Sequence, residues 1–180
     1  METFSGPLGS HRNYIHHVAI DNYYEYKMLC GLNDENGKDK TPDKYKEFRY
    51  FLNTIESFNN ILEYLYFEHE DEIPQSMLKD YKKAVWDKYP ELEKLANLAN
   101  AYKHCVRESR GNKNPDLPWA KDLQKPQLHI GAKVSSEKGV QVSFDYQFPW
   151  PIQEHEQVLE NAFAFWLAYI QHDGCDLKNV

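Results

Sequence analysis

One stretch of this chain gathers side chains that can do chemistry: Leu95-Ala96-Asn97-Leu98-Ala99-Asn100-Ala101-Tyr102-Lys103-His104-Cys105-Val106-Arg107. Leu95, Leu98, Ala99, Tyr102 and Val106 follow the i, i+3, i+4 spacing of one buried helix face. At about 100° per residue, Asn97, Asn100, His104 and Arg107 fall together on the roughly opposite side. Amides hydrogen-bond in both directions, an imidazole exchanges a proton near neutral pH, and a guanidinium is a permanent cation. Lys103 flanks this ladder. A merely solvated face would more usually carry Glu and Lys, so the expectation is an edge turned outward to bind something.

A second group lies near the start of the chain, at Arg12-Asn13-Tyr14-Ile15-His16-His17. Arg12 and His16 are one helical turn apart and able to contact a phosphate; the alternative is a solvated first turn. His16 and His17 are adjacent, point to different sides of a helix and make a poor metal-binding pair. Glu68-His69-Glu70 and Glu154-His155-Glu156 would hold a divalent ion only with help from distant residues. Both read as solvated helix faces or ends. Cys30, Cys105 and Cys175 form no metal or redox spacing. There is no Gly-rich phosphate loop and no Gly-x-Ser-x-Gly elbow. No metal site and no cofactor are therefore expected.

These residues need elements to position them. The pattern predicts a first helix from about His11 to Leu29, with Ile15, Val18, Ala19 and Tyr26 inward and Gly31 closing it. Thr41 as N-cap and Pro42 at the first position open a second helix. Its stripe runs through Tyr45, Phe48, Phe51, Leu52, Ile55, Phe58, Leu62, Leu65 and Tyr66 and ends in the acids from Glu68 to Glu72. Ser76 to Lys88 gives a shorter helix packing through Leu78, Tyr81, Val85 and Trp86. Pro90 opens the helix described first, and Gly111 to Pro115 closes it. Leu128, Ile130, Ala132 and Val134, then Val140, Val142, Phe144 and Tyr146, alternate with a period of two, so residues 126–148 read as a β-hairpin. A last helix spans Ile152 to about His172.

The expected fold is mainly α: one domain over residues 1–180, a bundle of four to five helices with a β-hairpin inserted before the C-terminal helix. Residues 1–10 read as a flexible tail. A lone ribbon is marginal in water, so its apolar face should lie on the bundle or a second chain. Phe148, Trp150, Phe163, Phe165 and Trp166 read as core or dimer interface, because they lack interleaved Lys and Arg.

Composition sets outer bounds. Hydrophobic residues make up 41% of the chain and aromatics 14%, which excludes an intrinsically disordered polymer. A net charge of −7 argues against an extended DNA-binding face, though a local basic patch is compatible with it. No run approaches 18 apolar residues, so no membrane association is expected. An odd number of cysteines without a targeting segment fits the cytoplasm.

The segment Asn100-Ala101-Tyr102-Lys103-His104 resembles part of the motif of the HEPN family, an Arg commonly followed by Asn or another polar residue, with four to six residues between the Arg and a His. Ala99 stands where that Arg would be. Arg12, Asn13 and His17 resemble the same motif at its minimum spacing. Family members are small helical bundles, often ribonucleases of prokaryotic defence and toxin systems. The resemblance implies a HEPN-like bundle more strongly than it implies catalysis. It suggests a degenerate member that binds a partner protein or an RNA or nucleotide ligand, with Asn97, Lys103, Arg12 and His17 as ligand contacts. If catalysis persists, it implies metal-independent RNA cleavage. His104 would then act as general acid/base, Asn100 would orient phosphate and Arg107 would stabilise developing charge. It also implies a homodimer that joins two such faces. The competing expectation is an interaction protein with no chemistry, docking a basic partner on its acidic surface.

Overall fold

The computed structural model describes residues 6–35, 44–103, 127–135, 139–147, 153–171 and 176–180. Ser10 starts the first helix. Its extended backbone lets the hydroxyl accept from the Asn13 amide at 3.1 Å, satisfying one of the orphan N–H groups of helix α1 (His11–Tyr14). Asn13 reaches back with its side-chain amide to the Gly6 carbonyl, and Gly9 N–H closes a turn on the same carbonyl. The chain passes without a break through a π turn (Ile15–Ala19) into α2 (Ile20–Glu35). Within the π turn the Ile20 N–H bonds to the Ile15 carbonyl, five residues back.

Gly31 does not end this helix, which continues to Glu35. A glycine inside a helix costs only about 1 kcal/mol relative to alanine. That is little against the packing of a helix that lies along its neighbour for many turns. Helix α3 (Lys44–Glu68) is that neighbour, 25 residues long and matched in length to the continuous run His11–Glu35. Its expected caps, Thr41 and Pro42, lie outside the described residues, and its end falls at the start of the acidic run as expected. The two run antiparallel. Tyr14 stacks on Tyr64 with ring centroids 4.1 Å apart, the Thr54 hydroxyl reaches the Asn22 carbonyl at 3.0 Å, and Tyr26 meets Phe51 edge to face. The start of the first helix therefore lies beside the end of α3.

After a turn over residues 69–77, α4 (Leu78–Lys88) begins two residues later than the sequence suggests, with Met77 in extended conformation at its N-cap. Pro90 occupies the first position of α5 (Pro90–Lys103), where a missing N–H costs nothing. Strands β1 (Gln127–Ser135) and β2 (Gly139–Gln147) pair antiparallel, with Ile130 opposite Phe144 and Ser135 opposite Gly139. Gly139 has a φ of +68°, a left-handed value that favours glycine at the return of the hairpin. The expected cover of the ribbon's apolar face falls on side chains outside those described. The last helix, α6 (Gln153–Gln171), matches its expected span within a residue at each end.

Among the described residues the fold is thus a mainly α bundle of five helices, the continuous run of α1 and α2 counting as one, with a hairpin before the last. Its interior is built from Ile15, Tyr26, Phe51, Ile55, Phe58, Ile61, Leu65, Leu95, Leu159 and Trp166, all essentially sealed from solvent. Each such side chain contributes about 1.5–3 kcal/mol through removal from water. Helix α5 packs against α3, α4 and α6 and buries more than the single stripe expected of it: Ala96 and Ala101 are sealed together with Leu95, Leu98 and Ala99. The closing tail is held as well, with Leu177 buried and the Gln75 side-chain amide donating to the Val180 carbonyl at 2.7 Å.

Candidate functional site

The antiparallel pairing of the first helix with α3 brings together three residues that sequence spacing keeps apart. His11 is buried at the start of α1, Glu68 ends α3, and His69 follows it. Glu68 Oε2 accepts from the His11 backbone N–H at 2.5 Å and faces the His11 ring Nδ1 at 2.8 Å. The other ring nitrogen, Nε2, lies 2.9 Å from the Tyr169 hydroxyl, which α6 supplies from its last turn. The His69 ring meets the His11 ring edge to face at 5.4 Å. Its Nε2 is 3.7 Å from Glu68 Oε1, and its Nδ1 is 3.4 Å from Glu72 Oε1. Glu72 is in turn paired with Lys178 at 2.7 Å, so the tail braces the turn that carries His69. The Arg12 guanidinium sits 5.7 Å from the centroid of the Tyr169 ring.

The electrostatics follow from burial and these contacts. Burial pushes the His11 pKa down, and this outweighs the opposing pull of Glu68. Burial also pushes the Glu68 carboxyl up. The backbone and ring hydrogen bonds of His11 outweigh that effect and hold it below the ordinary carboxylate value. Near neutral pH the pair is a neutral imidazole against an ionised carboxylate. The Lys178 ammonium, through its hydrogen bond, keeps Glu72 below the usual range. One ligating atom each from His11, Glu68 and His69 fall within 4.8 Å of one another.

The residues singled out from sequence are distributed differently. Arg12, His16 and His17 are exposed, while Tyr14, Ile15 and Ala19 between and beside them are sealed against the bundle. Asn97 and Asn100 are half-buried on α5 and Lys103 is exposed at its end; His104 and Arg107 lie outside the described residues. Ala99, at the position of the missing motif Arg, is 1% exposed and belongs to the core. Of the aromatic group, Trp166 is sealed, Phe163 and Phe165 are half-buried, and Phe148 and Trp150 lie outside the described residues.

Each of the two histidine runs expected to be solvated has a member drawn into the fold, while Glu70 and Glu154 stay exposed as expected. Glu68 and His69 belong to the cluster at the end of α3. His155 is 8% exposed and its Nδ1 lies 2.8 Å from the Tyr102 hydroxyl, joining α6 to α5. In both cases the run reads as polar while one of its members faces another helix. The sequence held no signal that located the first cluster: the helices expected from it, His11 to Leu29 and Pro42 to Glu68, differ in length, and only the continuation of the first to Glu35 and its antiparallel register set His11 against Glu68 and His69.

Elsewhere on α6, Glu160 accepts from the Tyr23 hydroxyl at 2.6 Å and from Lys27 at 3.0 Å, while Tyr23 stacks on Phe163 at 3.8 Å. This is a latch between α2 and α6. Comparisons with protein-family models, with curated proteins and with solved structures found no match to this chain. No described helix is long and apolar enough to cross a membrane.

Proposed function

We propose that this chain is a HEPN-like binding module that takes single-stranded RNA along the start of its first helix, through Arg12 and His17. One observation carries the reading. Arg12, His16 and His17 are exposed on a helix whose neighbouring residues Tyr14, Ile15 and Ala19 are buried, so the polar face is held outward by its own core. The spacing of Arg12, Asn13 and His17 matches the family motif, whereas the central match has a core alanine at the cationic position. A guanidinium binds phosphate oxygens through two parallel N–H bonds, and the neighbouring imidazole adds a further donor. The contact is one guanidinium beside two imidazoles on an acidic protein, which suits one strand and not a duplex surface.

The test is fluorescence anisotropy of end-labelled single-stranded RNA with the full chain in low salt and EDTA. Saturable binding that weakens as salt rises is expected. The double variant Arg12→Ala/His17→Ala should bind about ten-fold or more weakly, the loss of one to two charge-assisted hydrogen bonds. Unchanged affinity in that variant, or no binding by the parent, overturns the proposal. Cleavage of the RNA that is abolished by His104→Ala and not by Arg12→Ala would move the working site to the α5 face.

A further inference from the structure

We propose that His11, Glu68 and His69 form a binding site for a zinc-class divalent cation, clamping the start of the first helix to the end of α3. The donor set is two imidazoles and one carboxylate, a combination that suits zinc among the divalent ions. In tetrahedral coordination, with bonds of about 2.0–2.1 Å, ligand atoms stand about 3.3 Å apart. Here His11 Nδ1 is 2.8 Å from one Glu68 oxygen, Oε2, and His69 Nε2 is 3.7 Å from the other, Oε1, so the carboxylate stands between the two imidazoles at separations on either side of that value. One donor atom from each of the three residues lies within 4.8 Å of the others, so side-chain rotation without backbone movement closes the set on an ion.

A second observation points the same way. Each histidine has its other ring nitrogen facing an oxygen: His11 Nε2 the Tyr169 hydroxyl, and His69 Nδ1 the Glu72 carboxylate. Metal-bound histidines are typically oriented in this way by a partner on the nitrogen that does not ligate. Glu72 is itself fixed by Lys178. Binding requires no net proton loss at His11. The proton that Nδ1 shares with Glu68 is replaced by the metal, and the ring carries its proton on Nε2 instead. The Tyr169 hydroxyl then accepts where it had donated. Three protein ligands leave a fourth position for water or substrate. His11 is buried, but Glu68 and His69 keep side-chain exposures of 30% and 20%, so the ion reaches the site from their side. Spacing along the chain hides this set, because 57 residues separate His11 from Glu68.

The site shares no residue with the RNA contacts Arg12 and His17, so the two readings succeed or fail separately. Tag-free, chelator-stripped full chain is titrated with Co2+, followed by displacement with Zn2+. The expected result is one equivalent of Co2+ with the intense visible absorption of four-coordinate cobalt, lost on adding Zn2+, and a rise in the unfolding temperature with Zn2+. His69→Ala, a partly exposed position that leaves the core untouched, should weaken binding at least a hundred-fold and remove that temperature shift. Glu72→Gln, which removes only the orienting carboxylate, should weaken it about ten-fold. His16→Ala/His17→Ala and Arg12→Ala/His17→Ala should both keep the full equivalent. Absence of a one-equivalent site, undiminished binding in His69→Ala, or loss of the equivalent in the His16/His17 variant overturns the proposal.

Discussion

Two buried histidines, His11 and His155, make the same first contact and differ in the second. Each imidazole faces a tyrosine hydroxyl, Tyr169 at 2.9 Å and Tyr102 at 2.8 Å, and each is under a tenth exposed. Burial lowers the pKa of both. At His11 the remaining nitrogen meets a carboxylate, and a second imidazole stands beside it. At His155 the nearby acid, Glu154, acts only through its charge. A buried imidazole is therefore not a site by itself. Among the described residues the same side chain is a helix-to-helix peg in one place and, in the other, stands between a carboxylate and a second imidazole.

The comparison can be broken most directly by truncation. His11→Ala removes the ring's contacts with Glu68 and the Tyr169 hydroxyl and leaves only the backbone N–H of this position on Glu68. It should cost about 2–3 kcal/mol in urea unfolding, toward the lower end for a broken buried ionic hydrogen bond because Glu68 keeps some solvent. His155→Ala removes its hydrogen bond with the Tyr102 hydroxyl and some packing and should cost less, about 1–2 kcal/mol. Equal losses would mean that the Glu68 contact adds nothing to stability.

Acid sharpens the same contrast. A histidine whose folded pKa lies below its unfolded value of about 6.5 binds more protons when unfolded. The stability it contributes is complete above that value and declines as pH falls from there toward the folded pKa. The urea midpoint should drop between pH 7.5 and 5.5, and His155→Gln should make that drop shallower. A midpoint that stays level across this window would show that neither imidazole is held neutral. The latch between α2 and α6 gives no such response. Burial lowers the Lys27 pKa, but its bond to Glu160 and the charges of Glu160 and Glu156 more than compensate, so Lys27 stays charged throughout.

The smallest effect belongs to the pair that braces His69. Lys178 and Glu72 are solvent-exposed, and an ion pair of that kind is screened and entropically costly. Lys178→Ala should leave the metal-free unfolding midpoint unchanged within error. A clear drop would mean that the tail is held through this contact and not through buried Leu177 and the Gln75 bond to Val180.

The helices were legible because burial writes a period into the chain. The stripe from Phe48 to Tyr66 and the one from Val158 to Ile170 both became packed faces, and Pro90 marked the start of α5. The alternation on either side of Ser135 to Gly139 gave the hairpin. Gly31 was misleading because a local penalty of this size is easily outweighed by packing along the neighbouring helix. The polar runs were misread for a related reason. Solvation was assumed for Glu68-His69-Glu70 and Glu154-His155-Glu156 from composition, yet composition does not say which residue of a polar triplet faces the next helix.

By itself, then, the sequence determined the elements, their order and the sealed faces, since these depend on interactions between residues a few positions apart. Only the tertiary structure decided that His11 meets Glu68 and His69 while Arg12 and His17 stay outside. That outcome depends on the antiparallel register of two helices, set by Tyr14 on Tyr64, Asn22 against Thr54 and Tyr26 on Phe51. Contacts across so many residues leave no local period to read, because their partners are chosen by packing.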